Sequence, residues 1–162
     1  MKKYSLLLLI LFLSCKTEKN TLQPTGLVTS KAMVVSAREE ASQIGAQIMQ
    51  EGGNAFDAMI ATELALAVSY PYAGNIGGGG FMVYRKYNGE TGSLDYREKA
   101  PLAATKDMYL DKNGDVIKGL STETGLAIGV PGTIAGVFEV HKKYGTLPME
   151  TILKPVIDSA RK

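Results

Sequence analysis

The run from Ala55 to Ser69 constrains the fold of this 162-residue chain more than any other feature. It is rich in alanine and leucine and apolar nearly all round, with Asp57 in the first turn, where the helix dipole favours negative charge. Asn54 supplies an N-cap in front of the run, and Pro71 ends it. Because a helix without a polar face must be covered on several sides, the sequence predicts a buried central helix. Incomplete cover would leave apolar area exposed and predicts poor solubility.

Turn and capping signals predict short elements on both sides of this helix. The capping-box pattern Ser36-Ala37-Arg38-Glu39 predicts the start of a helix, and Gly52-Gly53 predicts its end. Phe81 to Tyr84 and Ser93 to Arg97 have the composition of strands, and Asn88-Gly89 between them is a turn signal. The sequence therefore predicts a helix before the central one and a β-hairpin after it.

The last third of the chain predicts two more helices. Pro131 lies where a first helical position is expected, Thr133 to Tyr144 carry apolar residues on one face, and Gly145 closes the helix. Pro148 can open a final helix, which Pro155 is expected to kink. Together these elements predict one domain of the α+β class.

The amino terminus has the features of an export signal. Lys2 and Lys3 form a basic start, Leu6 to Leu13 form a short apolar run, and Ser14-Cys15 follow. The apolar run is too short to span a bilayer as a helix. The sequence therefore predicts an exported protein of the periplasm or cell envelope.

The end of this signal predicts a lipid anchor. Phe12-Leu13-Ser14-Cys15 resembles a bacterial lipobox, in which the cysteine is lipidated, although Phe12 stands where leucine is usual. Acyl chains on Cys15 would tether the protein to a membrane, since each buried methylene contributes about 0.8 kcal/mol. The alternative is a plain signal peptide with a chance cysteine. Residues 1–15 are thus predicted as signal and residues 16–32 as spacer.

Charge and cysteine content exclude other classes. The net charge is only +2 and the basic residues are scattered, so no nucleic-acid-binding surface is expected. A single cysteine rules out an intrachain disulfide.

Arg97 is the candidate for holding a substrate. It lies where the second predicted strand gives way to a loop that ends at Pro101. A guanidinium there could bind a carboxylate through two parallel hydrogen bonds, with Asp95 or Glu98 fixing its orientation. From the residues alone, a structural ion pair is the stronger alternative.

Three other patterns predict no ligand. Gly77 to Gly80 lack the ending of a phosphate-binding loop and precede a strand, so they indicate close backbone approach. Asp111 begins a pattern like a calcium loop, but Val116 stands where that loop needs glycine. His141, the only histidine, is predicted to be an exposed residue near a helix end.

Four blocks of the chain resemble the gamma-glutamyltransferase family, in the order in which that family has them. The resemblance extends from about Met33 to the end of the chain. The blocks are Glu51 to Ala58, Ala73 to Met82, Asp95 to Pro101 and Gly129 to Gly136.

The resemblance implies an N-terminal nucleophile hydrolase, a four-layer αββα sandwich of which this chain holds only a part. In that family a precursor cuts itself into two subunits, and the new N-terminal threonine of the small subunit attacks a gamma-glutamyl amide. Arg97 matches the arginine that binds the alpha-carboxylate of the gamma-glutamyl group. The implied donor is glutathione, and the implied acceptors are water, amino acids or dipeptides. The resemblance implies no cofactor and no metal.

The resemblance places no catalytic nucleophile in this chain. Residues 33–162 correspond to the first part of the large subunit, which alone is expected to be inactive. The threonines in these blocks match no nucleophile motif: Thr105, Thr122, Thr124, Thr133 and Thr151.

Two alternatives remain open at this point. One is a related acylase or polyglutamate-processing transpeptidase with another acyl donor, although Arg97 favours a donor with an alpha-carboxylate. The other is a membrane-tethered remnant or binding protein without catalysis.

Overall fold

Helix α2 (Ala55–Ser69) is the centre of the fold, as predicted, in a computed structural model that describes residues 26–162. It packs against α1 (Glu39–Gln50), α3 (Thr133–Tyr144) and α4 (Met149–Ala160). Seven residues of this helix are buried, so the surrounding helices cover it on several sides. Large fully buried apolar side chains are Ile60 on this helix and Ile48, Val140 and Ile152 on the three helices around it.

The predicted hairpin is present. Strand β1 (Phe81–Arg85) pairs antiparallel with β2 (Thr91–Asp95), and Phe81 lies opposite Asp95. Met82 faces the core, whereas Phe81 and Val83 face outward and are exposed. Within the described residues this is the whole regular sheet, and its outer face carries no covering layer.

Asn54 and Asp57 join the start of α2 to the end of α3. The Asn54 side chain accepts from the backbone N–H groups of Phe56 and Asp57 and donates to the Tyr144 carbonyl at 2.7 Å. Asp57 is fully buried, and its carboxylate accepts from the Asn54 N–H at 3.0 Å and from both the backbone N–H and the hydroxyl of Thr146. The sequence predicted the cap at Asn54, but it did not predict these long-range hydrogen bonds to Tyr144 and Thr146.

Two predicted helix starts were wrong in detail. Ser36 does not cap α1, because its hydroxyl donates to the Arg38 carbonyl at 2.7 Å, and the helix begins at Glu39. Pro131 is not in the first turn of α3, which begins at Thr133 after Gly132. The predicted ends at Gly52 and Gly145 are confirmed, and Gly52 has the positive φ of 98° that favours glycine.

The predicted export signal and Cys15 lie outside the described residues, as does most of the predicted spacer. Residues 26–32, the remainder of that spacer, are exposed and form no helix or strand. Among residues 26–162, no helix has both the length and the apolar character needed to cross a membrane. These predictions therefore stay predictions.

We predict that Asp57→Ala lowers the free energy of unfolding by about 3 kcal/mol, because it leaves buried N–H donors without an acceptor. Asp57→Asn keeps one acceptor oxygen and is expected to cost less. Urea unfolding followed by circular dichroism measures both. The control is Asp158→Ala, which removes an exposed ion pair with Lys154 and should leave the transition midpoint unchanged. Equal midpoints for Asp57→Ala and the wild type would show that the hydrogen bonds to Asp57 do not stabilise the fold.

Candidate functional site

Arg97 lies just beyond β2, in a segment held on two sides. On one side Tyr96 continues the strand pairing, because its N–H donates to the Gly80 carbonyl at 3.0 Å. On the other side Lys99 and Val130 exchange backbone hydrogen bonds of 3.1 and 2.7 Å. Arg97 is thus fixed at both ends by backbone pairing with different parts of the chain.

Glycines let this segment pass between its neighbours. A Cβ atom on Gly79 would lie 2.6 Å from the Tyr96 carbonyl oxygen, and Cβ atoms on Gly132 and Gly136 would also collide with Tyr96. The Gly78 carbonyl in turn accepts from the N–H of Gly132 at 2.8 Å, which ties the start of α3 to the glycine run. Close backbone approach therefore requires glycine at Gly79 and Gly132, which confirms the sequence prediction for one member of the run Gly77 to Gly80.

Two of the four N–H groups in the same glycine run are hydrogen-bonded within the protein. The Gly77 N–H donates to the Asn75 side chain at 2.9 Å, and the Gly80 N–H points at the Tyr96 carbonyl at 3.4 Å. Donors bonded within the protein are not available to an anion. The expectation that this run binds no phosphate stays a prediction.

An open pocket of about 380 Å³ lies beside Arg97. Its walls come from the end of β2, from the Lys99–Val130 pairing and from the first turn of α3, and it is lined by more apolar than polar surface. The lining residues include Asp95, Tyr96, Arg97, Lys99 and Glu139. The pocket combines an arginine with neighbouring apolar walls, which is the usual composition of a small-molecule site.

The Arg97 guanidinium is exposed and forms no ion pair with any carboxylate in residues 26–162. The sequence predicted that Asp95 or Glu98 would orient it. That prediction was wrong, because neither carboxylate forms an ion pair with the guanidinium. The Asp95 carboxylate accepts instead from the backbone N–H of Arg97 at 2.9 Å. An aspartate readily closes this local turn with the N–H two residues on. Among the described residues, the guanidinium therefore keeps its donors free.

Tyr96, the residue before this exposed arginine, is partly buried and packs against the core. Burial raises the pKa of the Tyr96 hydroxyl, and the negative charge of Glu63 on α2 raises it further. Burial likewise raises the pKa of Glu63. Both groups lie in the body of the fold beneath the Arg97 segment, so Tyr96 anchors that segment to the core. The sequence analysis did not identify this role of Tyr96. The available signal was the set of glycines that pack against it, Gly79, Gly132 and Gly136.

The other candidates do not form sites. His141 was predicted to be exposed but is half-buried, and its Nε2 forms a 2.8 Å hydrogen bond with the Leu147 carbonyl, because the chain turns back over it after α3. Asp111 accepts backbone N–H groups of Asn113 and Asp115, and these hydrogen bonds lower its pKa. In the part of the chain that the structure describes, no three acidic, histidine or cysteine side chains are arranged to hold a metal.

Comparison with known proteins connects this geometry to a family. A model of the family described as gamma-glutamyltranspeptidase matches residues 41–162. A glutathione hydrolase proenzyme of Pseudomonas sp. strain A14 is 54% identical over 130 residues, which are 80% of this chain and 23% of that relative. The chain thus spans less than a quarter of the length of this curated relative.

Solved structures show the same fold. The crystal structure of Helicobacter pylori gamma-glutamyltranspeptidase matches with a TM-score of 0.78 and 50% identity over 82% of this chain and 38% of that one. A cephalosporin acylase from Bacillus halodurans matches with a TM-score of 0.65 and 27% identity over 86% of this chain and 27% of that one. The helices and hairpin are therefore part of an N-terminal nucleophile hydrolase fold. Within that class, the chain belongs to the gamma-glutamyltranspeptidase family.

We predict that Gly136→Ala destabilises the fold by about 1–3 kcal/mol, because the added methyl overlaps the Tyr96 ring and forces the Arg97 segment to move. Thermal unfolding measures the loss. Gly125→Ala is the matched control, since nothing lies within 4 Å of its added Cβ atom. If both variants unfold at the same temperature, the Tyr96 contact does not constrain the segment.

Proposed function

We propose that this chain is the part of a gamma-glutamyl acyl-transfer enzyme that binds the alpha-carboxylate of the donor through Arg97. The observation that carries the proposal is an exposed guanidinium at a pocket, with donors that are free within residues 26–162. The segment that carries it is fixed by the Tyr96–Gly80 and Lys99–Val130 backbone pairings. Arginine binds carboxylates through two parallel charge-assisted hydrogen bonds. A structural arginine would use those donors on an internal carboxylate, and in the described part of the chain Arg97 does not.

The chemistry proposed for the whole enzyme is acyl transfer through a covalent intermediate. A threonine hydroxyl from another part of the precursor attacks the gamma-carbonyl carbon, its proton passes to the threonine's own amine, and the donor's amine leaves with a proton. The resulting ester is then cleaved by water or by the amine of an amino acid or dipeptide. Glutathione is the proposed donor, because the relatives are named glutathione hydrolases.

The role of this chain in that reaction is positioning. Arg97 holds the end of the donor that carries the alpha-carboxylate, which fixes where the gamma-carbonyl meets the nucleophile. The nucleophile and the small subunit that carries it are proposed partners from the same precursor. The binding step proposed here uses no metal and no cofactor.

An acylase with another donor is the competing function, and the cephalosporin acylase shares the fold. The free guanidinium favours a donor with an alpha-carboxylate, which is why we place gamma-glutamyl transfer first. A remnant or binding protein without catalysis is the second alternative, and it predicts no turnover in the full precursor.

We predict that Arg97→Ala in the full precursor raises KM for gamma-glutamyl-p-nitroanilide by about 100-fold, equivalent to about 3 kcal/mol. The KM of Arg97→Lys should lie between those of the wild type and Arg97→Ala, because lysine keeps the charge but not the paired donors. Arg85→Ala, at the far end of β1, is the matched control and should behave as the wild type. Release of p-nitroaniline is the measurement.

A donor whose alpha-carboxylate is replaced by a carboxamide separates the alternatives. With that donor, Arg97→Ala should change KM little, because the partner of the guanidinium is missing. An equal loss with both donors would contradict carboxylate binding and favour a structural role. No turnover of either donor by the wild-type precursor would favour the remnant or binding protein.

We further propose that the protein is exported and anchored to the cell envelope through Cys15. The support is the order of a basic start, a short apolar run and a lipobox-like cysteine at the amino terminus. A single acyl chain binds membranes only marginally, so stable anchoring needs more than one chain.

We predict that metabolic labelling with radioactive palmitate marks the wild-type protein and not Cys15→Ser. The wild type should sediment with membranes, and Cys15→Ser should be released into the soluble envelope fraction. Ser14→Ala is the control, because it leaves the cysteine in place. Unlabelled wild-type protein in the soluble fraction would support a plain signal peptide instead.

A further inference from the structure

Phe81 holds an unusual position for an aromatic residue. It begins β1, lies opposite Asp95 in the hairpin, and is 63% exposed on the outer face of the sheet. The Arg97 guanidinium carbon lies 5.8 Å from the centre of its ring. This is within the distance at which the face of an aromatic ring attracts a cation.

We propose that Phe81 is the positioning residue for Arg97, an inference that rests on the proposed function. An arginine that awaits a carboxylate needs an orientation but must not use its N–H donors to obtain it. An acidic neighbour would compete with the substrate for those donors. A ring face attracts the guanidinium without accepting any of its in-plane hydrogen bonds, so the donors remain available.

The surrounding backbone keeps the ring and the guanidinium in register. The Tyr96 N–H bonds to the Gly80 carbonyl directly before Phe81, and the Asp95 carboxylate fixes the N–H of Arg97. The two side chains therefore leave paired strand ends whose spacing is set by the hairpin. Because Asp95 serves the backbone, Phe81 is the contact found for the side chain of Arg97 in the described residues.

The test compares Phe81→Leu, Phe81→Tyr and Val83→Ala in the full precursor. Val83 shares the outer face of β1, two residues on, and is 82% exposed. We expect Phe81→Leu to raise KM for gamma-glutamyl-p-nitroanilide by about 3- to 30-fold with kcat nearly unchanged, the range for cation–π contacts from exposed to desolvated surroundings. Phe81→Tyr, which keeps the ring face, should restore KM, and Val83→Ala should not alter it.

Coupling to Arg97 distinguishes positioning from a structural effect. In an Arg97→Ala background, or with the alpha-carboxamide donor, Phe81→Leu should cause no further rise in KM. An unchanged KM in Phe81→Leu would overturn the inference. An equal rise with both donors would overturn it as well, because a general distortion of the pocket does not depend on the alpha-carboxylate.

A second measurement keeps the inference independent of turnover. The Arg97 Nε–H resonance of the labelled precursor, assigned by its loss in Arg97→Lys, should be shifted upfield by the Phe81 ring and should lose that shift in Phe81→Leu. Titration with L-glutamate should then show weaker binding to Phe81→Leu. If the wild type binds L-glutamate in this way but releases no p-nitroaniline, the proposed function is wrong and the positioning role stands. No ring-dependent shift, or equal binding by both proteins, overturns the positioning role.

Discussion

The close approach of backbone around Tyr96 is the constraint on which the rest of the site depends. The segment from Tyr96 to Glu98 runs between the glycine run and the start of α3, at distances that leave no room for a Cβ atom on either side. Close packing transmits any added volume to its neighbours. The glycines of two separate blocks therefore serve one purpose, which is to let the Arg97 segment lie against the core.

The same arrangement explains how an exposed arginine can be held in place. Tyr96 is partly buried below, the Lys99–Val130 pairing fixes the following residues, and Arg97 itself remains exposed at the pocket. Ordering a long side chain costs conformational entropy, and a rigid backbone beneath it reduces that cost for the ligand. The aromatic face of Phe81 adds orientation while the hydrogen-bond donors stay free.

Much of the scaffold followed from local sequence signals. The bounds of α2 and the end of α3 were predicted from capping residues, glycine and proline, because these residues act on the backbone beside them. The starts of α1 and α3 were misplaced. At α1 the Ser36 hydroxyl donates to the nearby Arg38 carbonyl instead of accepting from the helix, whereas the start of α3 depends on a hydrogen-bond partner outside the local pattern. For α3 that partner is the Gly78 carbonyl, more than fifty residues earlier in the chain.

The sequence by itself determined the family, the apolar central helix and the identity of Arg97 as the candidate residue, because motifs and periodicity are local and survive without knowledge of contacts. Only the tertiary structure decided that Asp95 bonds to the backbone of Arg97, that Phe81 lies beside its guanidinium, and that the buried Asp57 reaches Thr146. Each of these contacts depends on how the hairpin and helices are placed in space. A sequence shows which groups are present, and the packing of distant segments decides which of them meet.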